Sequence, residues 1–77
     1  SQYYIGVCYF ELGDFRSAAV AFKKSLVIEP DDAETHYVLG LTYLKLKKRR
    51  SAKKELDMLY MLDSSLYDSL NYHINNN

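Results

Sequence analysis

Few side chains in this sequence have the types and spacing that catalysis or metal binding requires. His36 and His73 fall in separate segments, and neither has a Cys, His or carboxylate at the ligand spacing of a zinc site. Cys8 is the single cysteine and cannot form an internal disulfide; on a predicted helix, it is interpreted as a small buried hydrophobe. We therefore expect no enzyme, no cofactor and no metal site, with both histidines solvent-facing or partly packed.

The strongest charge feature is a run of cations that ends at Glu55. Its members, here called the basic patch, are Lys47, Lys48, Arg49, Arg50, Lys53 and Lys54, with Lys45 just before them. Such a patch can bind acidic proteins, lipid head groups or phosphates, or it can be a solvated turn that stabilises the preceding helix terminus. It contains no aromatic residue, and ten basic residues balance ten acidic ones in the chain, so nucleic acid is not favoured.

Apolar residues recur at helical spacing along most of the chain, which predicts an all-α fold. The predicted helices are Tyr3–Leu12, Phe15–Ile28, Glu34–Leu46, a fourth after the turn at 47–49, and Ser65–Asn75. Gly13 is expected to end the first helix in the left-handed conformation, and Asp14 to cap the second. Asp31 and Glu34 predict a capping box for the third helix, and Asn75–Asn77 are expected to fray.

A short pattern of an apolar residue, Gly and a later Tyr occurs twice, and the two glycines, Gly6 and Gly40, are 34 positions apart. The same offset pairs Ile5 with Leu39, Tyr9 with Tyr43, Leu12 with Leu46, Ala18 with Ala52, Phe22 with Leu56, and Ile28 with Leu62. A fixed period of this size predicts a solenoid of repeated units. We expect each unit to be a helical hairpin, with small residues where its two helices approach closely and one apolar side buried by stacking.

These residues resemble the tetratricopeptide repeat, a helical hairpin of 34 residues. The matching residues are Ile5, Gly6, Tyr9, Ala18, Phe22 and Pro30 in the first copy, and Leu39, Gly40, Tyr43, Ala52 and Leu56 in the second. Gln2 and His36 replace the family's opening aromatic, Ser64 replaces the second proline, and Lys47 replaces the left-handed glycine. With the period, the resemblance implies a right-handed α-solenoid of two helical hairpins plus a C-terminal capping helix. Its expected parts are repeat one (1–32), repeat two (33–64) and a terminal helix (65–75), within a longer array.

In the resembled family, the first helix of each hairpin lines a concave face that receives a peptide or a helix. The resemblance implies a peptide-binding groove formed by Tyr3, Val7, Phe10, Glu11, Glu34, Tyr37, Val38, Leu41, Leu44, Lys45 and Tyr72. Alternatively, these side chains only pack against neighbouring helices. One subclass of the family holds chaperone C-terminal tails with Lys and Asn, where this chain has Tyr3, Val7 and Val38, so we do not expect that partner.

Three functional hypotheses follow. The first is a protein-protein interaction scaffold that binds a peptide or helix of a partner in an apolar, Tyr-lined groove. The second is self-association as a homodimer or larger homo-oligomer, because two repeats are fewer than the roughly three needed for stability. The third is contact with an acidic protein, lipid or nucleic acid through residues 45–54. No apolar run approaches the roughly 20 residues of a membrane span, and a single cysteine is compatible with a cytoplasmic location without requiring one.

Overall fold

A computed structural model describes residues 1–76, which form five α-helices and no strand. The helices are α1 (Gln2–Glu11), α2 (Phe15–Ile28), α3 (Ala33–Lys45), α4 (Arg49–Leu62) and α5 (Ser64–Asn75). The predicted all-α fold is confirmed. Asn75 is the last helical residue rather than part of a frayed end, Asn76 forms a turn, and Asn77 lies outside the described residues.

The helices pack as two hairpins and a capping helix. The first hairpin pairs α1 with α2, the second pairs α3 with α4, and α2 packs against α3 to join them. The fifth helix contacts both α3 and α4, as expected of a helix that covers the end of the second hairpin. The central helix α3 therefore has three neighbouring helices, whereas α1 packs mainly against α2.

The two interhelical turns have the same geometry, although their sequences differ. Gly13 has a φ of 81° and Lys47 a φ of 63°, so both residues are left-handed. The hydrogen bonds match as well: Asp14 N–H donates to Tyr9 C=O at 2.9 Å, and Lys48 N–H donates to Tyr43 C=O at 2.8 Å. The loss of glycine at the second turn therefore does not remove the left-handed conformation. Lys47 adopts it at a cost of roughly 1–2 kcal/mol.

Both repeat glycines make room for a large core side chain from another helix. A Cβ at Gly6 would lie 2.5 Å from Phe22 Cε1, and a Cβ at Gly40 would lie 2.6 Å from Leu70 Cδ2. In the first hairpin the large residue is Phe22, from the partner helix α2. In the second, Leu56 is shorter than phenylalanine, and Leu70 of α5 occupies the space beside the glycine, fully buried.

The start of α3 corrects the predicted capping box. The N-cap residue is Asp32, and its carboxylate accepts a hydrogen bond from Thr35 Oγ1 at 2.8 Å. The carboxylate of Glu34 does not turn back toward Asp31. It accepts a hydrogen bond from the hydroxyl of Tyr3 at 2.6 Å, because α1 brings that tyrosine alongside the beginning of α3.

Cys8 is exposed, so its interpretation as a buried hydrophobe is wrong. The reason is the position of α1 at one side of the molecule, where it packs mainly against α2 and no other helix covers the face that carries Cys8. The same position explains why Ile5 is 45% exposed and Tyr9 38%, although the equivalent residues of α3, Leu39 and Tyr43, are buried.

Candidate functional site

A groove runs between α1 and α3, with α2 beneath it. A first cavity of about 280 Å³ occupies this groove. Its lining residues come from all three helices and are Tyr3, Val7, Phe10, Glu11, Phe22, Val38 and Leu41. Phe22 is fully buried and lies in the floor, where its ring centroid is 5.9 Å from that of Tyr3. The walls are partly buried apolar side chains, which can bury further area when a ligand enters.

A second cavity of about 340 Å³ adjoins the first toward the carboxyl ends of α1 and α3. The two cavities share Phe10 and Leu41, so they form one continuous surface. The other lining residues of the second cavity are Leu44, Lys45, Lys47 and His73. This end of the groove is therefore rimmed by cations, and α5 contributes to its wall.

Most of the residues predicted for the groove lie together in these two cavities. Tyr3, Val7, Phe10, Glu11, Val38 and Leu41 line the first cavity, and Leu44 and Lys45 line the second. Glu34 does not line either cavity but is hydrogen-bonded to Tyr3. Tyr37 and Tyr72 line neither. Sequence reasoning missed Phe22, Lys47 and His73 as groove residues. They come from α2, from the turn after α3 and from α5, so the spacing of residues within α1 and α3 does not indicate them.

The hydroxyl of Tyr3 is held in its protonated form at the edge of the first cavity. Burial, followed by the hydrogen bond to Glu34, raises the pKa of Tyr3 to about 12. The phenol is consequently a stable hydrogen-bond donor at neutral pH, and Glu34 is its acceptor. This contact joins the amino-terminal parts of α1 and α3 across the groove, so it fixes the separation of the two walls at that end.

Comparison with protein families agrees with the helical-hairpin fold. The model of the TPR repeat matches residues 6–47, and the model of the tetratricopeptide repeat matches residues 33–66. The chain belongs to the tetratricopeptide repeat family. Comparisons with curated proteins and with solved structures give no significant match. Tetratricopeptide repeats generally mediate protein-protein interactions, and they are typically scaffolds without enzymatic activity.

The basic patch of this tetratricopeptide repeat chain is exposed, but one of its members has a structural contact. Arg49 donates a hydrogen bond from its guanidinium to the backbone carbonyl of Ile74, near the carboxyl end of α5. It therefore satisfies one of the terminal carbonyls of that helix and links α4 to α5. Within residues 1–76, no Lys or Arg nitrogen lies within 4.0 Å of an Asp or Glu oxygen. The other five cations are solvated.

His36 is buried, in contrast to the predicted solvent-facing or partly packed position. Its Nδ1 lies 2.8 Å from a carboxylate oxygen of Glu55, and its Nε2 lies 2.6 Å from the carbonyl oxygen of Pro30. The ring therefore lies between two hydrogen-bond acceptors, a carboxylate and a backbone carbonyl. His36 thereby connects the turn between the tetratricopeptide repeats to α3 and α4, which is a structural role. His73, by contrast, is exposed.

Residues 1–76 contain no cluster of three or more His, Cys, Asp or Glu side chains placed to bind a metal ion. None of their helices has the length and hydropathy needed to cross a membrane.

Proposed function

We propose that this tetratricopeptide repeat chain is a non-catalytic interaction module that binds a peptide or helix of a partner protein in the groove between α1 and α3. The observation that carries the proposal is the continuous surface of the two cavities, which is mainly apolar in the first cavity and to which both hairpins contribute. The partly buried Val7, Val38 and Leu41 support it, because their side chains are already ordered by packing yet still reach the cavity. A ligand there loses little of its binding free energy to ordering the protein.

The expected affinity depends on how many apolar anchor side chains the ligand buries in the groove. Burying one apolar anchor side chain contributes roughly 1.5–3 kcal/mol, and immobilising each side chain opposes this by roughly 0.5–1.5 kcal/mol. A ligand with two or three anchors is therefore expected to bind weakly to moderately. Tyr3 adds a polar contact at one edge, because its hydroxyl lies at the rim beside an apolar ring that is partly buried.

The substitution Leu41→Glu tests the groove, because Leu41 lines both cavities. We expect it to abolish partner binding while circular dichroism stays helical, since a charge on the groove wall opposes burial of an apolar anchor. Met61→Glu is the matched control: it introduces the same charge at a side chain that is 83% exposed and lines neither cavity. Intact binding by the Leu41→Glu protein would remove the groove from consideration.

Self-association is the second candidate, and the exposed face of α1 favours it. Ile5 and Tyr9 remain partly in solvent, whereas α2 covers the corresponding face of α3, in which Leu39 is 1% exposed and Tyr43 8%. Val20 of α2 adds to the same apolar surface, next to Ile5 and Tyr9. A second copy of the chain could bury this surface as one repeat buries the next.

Sedimentation at two concentrations tests self-association. A dimer through this surface predicts an apparent mass that rises with concentration and returns to that of a monomer in the Tyr9→Lys protein. The control is Tyr60→Lys, at a tyrosine that is 70% exposed on α4 and outside this surface. A strict monomer at both concentrations would exclude this candidate.

A further inference from the structure

The two cavities of the groove differ in the charge of their lining residues. Glu11, the last residue of α1, is the charged residue that lines the first cavity, and Glu34 is hydrogen-bonded to Tyr3 at the amino-terminal edge of that cavity. At the second cavity, the charged lining residues are Lys45 and Lys47, and His73 lies beside them. No carboxylate lines the second cavity, and neither lysine has an Asp or Glu oxygen of residues 1–76 within 4.0 Å. The two lysines therefore keep their charge available to a ligand.

We propose that the groove selects a segment of a partner protein in which apolar anchor residues adjoin acidic side chains. The anchors occupy the first cavity, and the acidic side chains lie against Lys45 and Lys47 in the second. The inference rests on the proposed function, since it requires that the groove be the binding surface. It adds the chemistry of the partner segment and says which cavity its apolar and acidic side chains occupy.

Charge complementarity in each cavity supports this placement. An acidic side chain in the first cavity would face the carboxylate of Glu11 and lie near that of Glu34, and like charges at short range disfavour that pose. In the second cavity it would meet two cations beside the apolar surface of Phe10 and Leu44. Long-range attraction by the exposed cations of the basic patch would also raise the rate of encounter with an acidic segment.

The neighbouring chain favours acidic side chains over a terminal carboxylate. Cations continue beyond Lys47 with Lys48 and Arg50, both exposed, so the positive surface does not end at the cavity. A single terminal carboxylate could contact only one part of this positive surface, whereas several consecutive acidic side chains could contact cations along its length. The cavities, near the lower end of the roughly 300–1,000 Å³ range of small-molecule sites, fit individual side chains of such a segment.

Fluorescence polarisation with three pools of short labelled peptides tests the proposal. All three have Leu, Ile, Phe or Tyr at two anchor positions. The acidic pool continues with three Glu residues and has an amidated C-terminus, the neutral pool replaces these Glu residues with Gln, and the third pool is the neutral one with a free C-terminal carboxylate. We expect the acidic pool to bind more tightly than the neutral pool by about two- to five-fold in Kd for each exposed charge pair, with a smaller difference at high salt.

The protein variants assign the effect to the groove. We expect the Lys45→Gln/Lys47→Gln protein to bind the acidic and neutral pools with nearly equal Kd. The control is Lys53→Gln/Lys54→Gln, which makes the same charge change at exposed residues of α4 that do not line the second cavity and should retain most of the preference for the acidic pool. Equal binding of acidic and neutral pools that is still lost in the Leu41→Glu protein would overturn this inference and leave the groove intact.

Other outcomes separate the alternatives. Absence of binding by every pool would overturn both the inference and the proposed function. Equal binding by the acidic pool and the free-carboxylate pool would assign the lysines to a chain terminus instead of acidic side chains. Binding to phosphatidylserine vesicles with no binding to any pool would replace the protein partner with a membrane surface.

Discussion

Replacing Gly40 with alanine tests how α3 is packed against the capping helix. An alanine Cβ would lie 2.6 Å from Leu70 Cδ2, 3.1 Å from Leu70 Cδ1 and 3.4 Å from Leu70 Cγ. Leu70 is fully buried, so its side chain cannot swing into solvent to relieve the contact. We therefore expect Gly40→Ala to destabilise the protein, although alanine is the better helix-forming residue.

The magnitude is the balance of two opposing effects. Alanine in the middle of a helix is favoured over glycine by roughly 0.5–1 kcal/mol. Overpacking a dense core costs roughly 1–3 kcal/mol. The difference is a net loss of about 1 kcal/mol in the free energy of unfolding, which corresponds to a decrease in Tm of about 4–8 °C for a domain of this size.

Urea denaturation followed by circular dichroism measures this loss, and a double-mutant cycle assigns it. Leu70→Ala alone should cost roughly 2–5 kcal/mol, because it leaves a cavity. In the double variant the added Cβ occupies part of that cavity, so the total loss should be smaller than the sum of the two single losses. A Gly40→Ala protein that is as stable as the parent, or strict additivity in the cycle, would refute the packing of α5 on Gly40.

Three further predictions concern stability. Lys47→Gly should raise the free energy of unfolding by about 1 kcal/mol in urea denaturation, because glycine adopts the positive φ without strain. A lower free energy of unfolding would mean that the turn is not left-handed. Glu55→Ala should lower it by about 1–3 kcal/mol in the same assay, because buried His36 loses a hydrogen-bond partner, and no change would argue against that contact. Because the pKa of Tyr3 is raised, the contribution of Tyr3 to stability is complete below about pH 10 and is lost as the pH rises toward 12. The difference in free energy of unfolding between the parent and the Tyr3→Phe protein should decrease over the same pH range. A difference that does not change with pH would contradict this prediction.

The architecture could be predicted because it depends on features that recur in the sequence. A shared offset places Gly6 and Gly40 at equivalent positions in α1 and α3, and Ala18 and Ala52 at fully buried positions in α2 and α4. Helix bounds follow from local signals, so Phe15–Ile28 was predicted at both ends. The local spacing of apolar residues and the 34-residue period indicate the same structure, so composition and pattern were sufficient to predict the fold.

The errors occur where tertiary contacts override a local signal. Lys47 takes the left-handed conformation because the packing of α4 against α3 requires the same turn as in the first hairpin, whichever residue is present. Asp31 and Glu34 have the spacing of a capping box, but the hydroxyl of Tyr3 from another helix binds Glu34. Cys8 lies on a predicted amphipathic helix, yet burial also requires a neighbouring helix on that side. In all three cases the outcome depends on how the helices pack as well as on the neighbouring residues.

The candidate site illustrates the same distinction. Its walls could be predicted, since they are rows at helical spacing, but the floor and the charged end could not, because Phe22, Lys47 and His73 come from three other segments of the chain. These contributions also connect the groove to the fold. Phe22 lines the cavity and at the same time fills the space beside Gly6, so the depth of the groove depends on the packing of the first hairpin. At the charged end, Lys45 belongs to α3, Lys47 to the turn after it and His73 to α5. Both cavities lie between α1 and α3, so a change in the angle between the two hairpins would alter the apolar and the basic parts of the surface together.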